Sequence, residues 1–89
     1  MRSAFDWTEM GWVSETLKLS GDVVLRCVLK KRGRLCVKKS NDGKGRWPKV
    51  LMTPNAGPEF RITVYGETAG KHIQVVTSEE PEVLEVHEI

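Results

Sequence analysis

Short runs rich in Val, Ile, Leu and Thr recur along this chain, and Gly, Pro or Asn signals separate them. That punctuation is the strongest constraint on the fold. Runs of this length bounded by turn residues read as strands, and the breaks are too short for the crossovers that parallel pairing needs. Seven runs stand out, at 12–19, 23–30, 34–39, 49–53, 60–65, 71–77 and 83–87. Ser20-Gly21-Asp22, Lys31-Arg32-Gly33, residues 40–43, Pro54-Asn55-Ala56-Gly57-Pro58, Glu67-Thr68-Ala69-Gly70 and Ser78-Glu79-Glu80-Pro81 divide them. The expected class is all-β: a small antiparallel meander of about six to seven strands. Closure into a compact barrel or half-barrel, of SH3-like or OB-like size, would hide its edges.

Residues 1–11 form an N-terminal segment expected to be a short helix or irregular. Ser3 can cap a turn ahead of Ala4 and Phe5, and Gly11 stops it before it reaches a self-sustaining length. Residues 12–89 are expected to make a single β domain. A chain of 89 residues buries only about 60–65% of its unfolded surface, so the core must be thin.

No apolar stretch approaches the roughly 18 residues of a membrane helix. The opening residues lack the apolar run of a secretory signal, so the expected location is cytoplasmic. Cys27 and Cys36, in a C-x8-C spacing with no matching Cys/His pair, are neither a disulfide framework nor a zinc pattern. No structural metal and no cofactor are expected.

The net charge of +2 conceals two blocks of opposite sign. Between residues 26 and 49 there are ten basic side chains against Asp42 alone, and from Glu67 onward six acids against Lys71. In the basic block, Lys31-Arg32-Gly33 has the length and terminal Gly of a hairpin loop with Gly33 left-handed. Setting Lys30 opposite Arg34 puts Cys27 by Val37 and Arg26 by Lys38. Alternation then gives one face of Leu25, Cys27, Leu29, Leu35 and Val37, and another of Arg26, Lys30, Arg34 and Lys38, with Val28 and Cys36 between them. The cysteines point to opposite faces, which predicts free thiols. Like charges lie opposite each other, a cost that an anionic partner would relieve. The plainer alternative is that these cations solvate an exposed face.

Lys44-Gly45-Arg46-Trp47-Pro48-Lys49 sets one aromatic among three cations. Bases stack on such platforms, although Trp47 is also suited to capping the end of a thin core. Trp7 and Trp12 are read as packing residues that plug one end of the barrel. A second hairpin is expected from 60 to 77, with Val64 against Ile73 and Ile62 against Val75. Its other face would carry Arg61, Thr63, Gln74 and a Tyr65–His72 pair. The segment Glu79-Glu80-Pro81-Glu82 is either a solvated loop or lies against the cationic face.

His72 and His87 have no recognisable catalytic partners. No nucleophile elbow, P-loop or Rossmann glycine pattern appears, so an enzyme is not expected. The functional expectation is a non-enzymatic module that binds nucleic acid through Arg26, Lys30, Arg34, Lys38, Arg46 and Trp47. Two alternatives stand beside it. One is a protein-interaction domain that docks an acidic partner or another copy of itself, and the other is a small β-barrel enclosing a ligand.

Overall fold

The computed structural model describes residues 5–9, 11–19, 21–40, 45–65 and 72–88. Among them are nine strands and no helix: β1 (Phe5–Thr8), β2 (Gly11–Ser14), β3 (Leu17–Lys18), β4 (Val23–Leu29), β5 (Leu35–Ser40), β6 (Lys49–Met52), β7 (Glu59–Val64), β8 (His72–Thr77) and β9 (Pro81–Glu88). One sheet runs β1-β2-β8-β5-β6, with β3 also paired to β8, and the other runs β7-β4-β9. Every pairing is antiparallel. The all-β, antiparallel expectation holds, but the meander does not, and the described strands form two sheets with no closed barrel among them.

Both expected hairpins are corrected. β4 lies between β7 and β9, with Arg26 opposite Arg61 on one side and Glu85 on the other. β5 lies between β6 and β8 in the other sheet. The chain therefore crosses from sheet to sheet between β4 and β5, and again between β7 and β8. Val64 pairs with Val23 and Ile62 with Leu25, while Ile73 and Val75 pair with Lys39 and Val37. Tyr65 and His72 do not form a cross-strand pair, and residues 67–70 lie outside the described residues.

The inward faces survive this change of partners, because alternation fixes which side of a strand is apolar and not which strand lies beside it. Leu25, Cys27, Leu29, Leu35 and Val37 are each at most 2% exposed. They join Leu17, Leu19, Val23, Phe60, Val64, Ile73, Val75 and Leu84 in one core between the sheets. Faces expected to share one side of a hairpin instead meet across a sandwich. The radius of gyration, 11.7 Å, matches the roughly 12 Å expected of a compact chain this long.

Backbone partners explain why the β4–β5 link does not close on itself. The Lys30 N–H donates to the Glu80 carbonyl at 2.9 Å, and Gly33 and Ala56 exchange both backbone hydrogen bonds at 3.0 and 2.9 Å. The Arg34 N–H donates to Ser78 Oγ at 2.8 Å, and the Ser78 N–H donates back to the Arg34 carbonyl at 3.0 Å. The link is an arch pinned by the 53–58 and 78–80 segments. Gly33 is absent from the glycines with positive φ, contrary to the turn expected. Its requirement is space: a Cβ there would lie 2.7 Å from Ser78 Oγ and 2.8 Å from Glu79 Cγ.

The N-terminal segment is also more regular than expected. Phe5–Thr8 is a strand, paired with β2 from Phe5↔Ser14 to Thr8↔Gly11; Ser3 and Ala4 lie outside the described residues. Gly11 adopts φ +113°, and a Cβ at that position would sit 2.5 Å from the Thr77 carbonyl oxygen. This close approach seats the β1–β2 hairpin on β8. Trp7 does not plug an end: it is 65% exposed, with its ring centroid 5.2 Å from that of half-buried Trp12 at a 60° tilt.

Cys27 and Cys36 are both free, on different sheets. Burial in the core pushes the Cys27 thiol up to about 11. In a native-state assay with Ellman's reagent, Cys36 is expected to react promptly and Cys27 only at the rate of unfolding. Equal rates would place Cys27 outside the core.

Candidate nucleic-acid interface

The expected face of Arg26, Lys30, Arg34 and Lys38 is divided by the fold. Arg26 lies on the outer surface of the three-stranded sheet. Its Nε donates to Glu59 Oε2 at 2.9 Å and its Nη1 to Glu85 Oε1 at 3.0 Å. Arg61 and His87 extend this network through Glu59 and Glu85, at 3.5 and 3.6 Å. The guanidinium holds both carboxyls below the usual glutamate range, and Glu59 followed by Glu85 holds Arg26 above its own. Lys30 pairs with Glu80, which raises the lysine, and Lys31 lies 3.7 Å from Glu79. The acidic segment thus lies against the basic arch of its own chain.

Arg34 and Lys38 belong instead to the outer surface of the larger sheet, where they line a cleft of about 410 Å3. Lys49, Cys36, Met52, Val76, Thr77 and Ser78 also line it, so cations from β6, from β5 and from the residue before β5 surround a partly apolar floor. The register builds that floor: Cys36 lies opposite Val76 on one side and Met52 on the other, and Val76 lies opposite Val13. One row of apolar side chains therefore crosses four strands on the outward side.

A β-bulge sets the cations. Val37 pairs with Leu51, but the next residue, Lys38, pairs with Lys49, leaving Val50 as the extra residue of β6. Unbroken pairing would put Val50 opposite Lys38. The bulge brings two lysines into register on the outward face, and Val50 and Leu51 both pack toward the core. Like charges directly opposite destabilise a sheet. The cation-against-cation register expected of Arg26 and Lys38 thus occurs between Lys38 and Lys49.

Burial raises the Cys36 thiol, and the positive charges of Lys49 and then Lys38 pull it back down. The floor therefore senses both lysines. Among the described lining residues there is no Asp or Glu. No family model, curated protein or solved structure matches this chain. What the cleft binds must be argued from its own side chains.

Arg46 is exposed and Trp47 half-buried, just before β6 in the chain; Lys44 lies outside the described residues. Lys49, Met52, Cys36 and Val76 complete the cleft without having been singled out as contacts from the sequence. For Val76 a signal was present. Val75-Val76-Thr77 is apolar or small on both alternation phases, as in a strand covered on both faces. Among the described residues no group of three or more His, Cys, Asp or Glu side chains could hold a metal ion, and no helix is long and apolar enough to cross a membrane.

Proposed function

We propose that this chain is a non-enzymatic nucleic-acid-binding module whose contact surface is the cleft of Arg34, Lys38 and Lys49 on the larger sheet. The observation that carries it is the bulge-aligned Lys38–Lys49 pair beside Arg34, over a floor of Cys36, Met52 and Val76. Lys and Arg supply phosphate contacts, the sequence-independent part of nucleic-acid affinity. An apolar floor between them adds a surface that simple solvation of a sheet face does not need. Arg26 and Lys30, held by carboxylates, contribute less than the sequence implies. Arg46 and Trp47 extend the surface along the approach to β6. A cytoplasmic location belongs to the same proposal, supported by two free thiols that a reducing compartment preserves.

The test is fluorescence anisotropy of labelled oligonucleotides across a salt series. Each phosphate contact contributes a slope of about −0.7 in log affinity against log salt for single strands and about −0.9 for duplexes. The cleft's three cations predict a slope near −2 to −3. A slope near zero, or no binding at low salt, would end the proposal. An acidic protein partner would then become the better explanation of the charge.

A further inference from the structure

We infer, resting on the function proposed above, that the cleft selects single-stranded nucleic acid, seating an unstacked base on Cys36, Met52 and Val76 while Arg34, Lys38 and Lys49 hold the flanking phosphates. Its volume, about 410 Å3, falls among small-ligand pockets of about 300–1,000 Å3 and is open to a flat heterocycle. A cleft that bound phosphate alone would need only donors and positive charge. This one has an apolar stripe between its cations, and Met52, on the edge strand β6, is 56% exposed with nothing yet covering it among the described residues.

A duplex cannot use that stripe. Its bases are stacked inside, and their edges are reached only through grooves; the major groove, about 12 Å wide, admits a helix or a two-stranded ribbon. Strands lie about 4.8 Å apart, so a cleft on the face of this five-strand path is part of a surface too broad to enter. Duplex DNA would touch the cations alone and leave the apolar floor bare. A single strand offers both its phosphates and a base that can turn out of the stack.

The deciding experiment compares three labelled DNA oligomers of equal length at one low salt concentration: a single strand, its duplex, and a single strand with abasic sites throughout. The base-bearing single strand is expected to bind at least about fivefold more tightly than either competitor, the lower end of what one seated base contributes. Met52→Ala, at an exposed position, is expected to shrink the preference over the abasic strand. If duplex or abasic DNA binds as well as the single strand, or Met52→Ala leaves the preference intact, the base seat is wrong and the charge-based function stands. If none of the three binds, the function proposed above fails with it.

Discussion

The triple variant Arg34→Ser, Lys38→Ser, Lys49→Ser is expected to bind single-stranded DNA about 100-fold more weakly than the unaltered protein at about 0.1 M salt. The magnitude follows from counterion release. Three phosphate contacts at about 0.7 each give two decades of affinity between 1 M and 0.1 M salt, and removing them should also flatten the slope. Arg34 and Lys49 are exposed and Lys38 is half-exposed on the outward face, so the fold should tolerate the change. The companion variant, Arg26→Ser with Lys30→Ser, separates two views of the charge. In a single cationic hairpin face it would do comparable damage. In this sandwich those side chains already face Glu59, Glu85 and Glu80, and the loss in affinity should stay within about threefold, the scale of an exposed ion pair. Equal losses in the two variants would show that the sheets do not divide the cations as described.

That comparison also marks where the sequence is informative. Alternation in 23–30 and 34–39 identified the buried residues of β4 and β5, because the sheet's period of two depends on the strand alone. It did not identify the neighbours. A short link ending in Gly suits a tight hairpin and an arch between sheets alike, and only the hydrogen bonds to Ala56, Ser78 and Glu80 decide between them. Those partners lie far along the chain, out of reach of local turn chemistry.

One clue to the pairing was present in the charges. Placing β4 beside β5 sets cation against cation, whereas placing it beside β9 sets Arg26 opposite Glu85 with Glu59 within reach on β7. The repulsion expected of Arg26 is relieved inside the molecule. In the other sheet the bulge at Val50 sets Lys38 opposite Lys49. A bulge moves one residue out of step, and nothing in Lys49-Val50-Leu51-Met52 marks which residue that will be. The candidate site was therefore half legible: Arg34 and Lys38 from alternation and charge, but neither Lys49 nor the apolar floor as part of one cleft.

Ile73→Ala is expected to destabilise the protein by about 2–5 kcal/mol, the range for emptying a large buried aliphatic position. Ile73 is fully buried in the core on β8, the strand that pairs with β2, β3 and β5. Its backbone is held between Leu17 of β3 and Lys39 of β5, so the strand cannot easily sink to fill the cavity. At about 0.05–0.15 kcal/mol per residue, a domain of this length has only about 4–13 kcal/mol of total stability. The substitution therefore removes a large fraction of it. With a urea dependence of about 1–3 kcal/mol per molar, the unfolding midpoint should fall by about 1–5 M. Met52→Ala, in the same sheet on the outward side, should shift stability by less than about 0.5 kcal/mol. The contrast tests the sandwich itself. If the two substitutions cost the same, Ile73 does not face a second sheet, and the cleft on the opposite surface loses the packed layer that holds its strands in place.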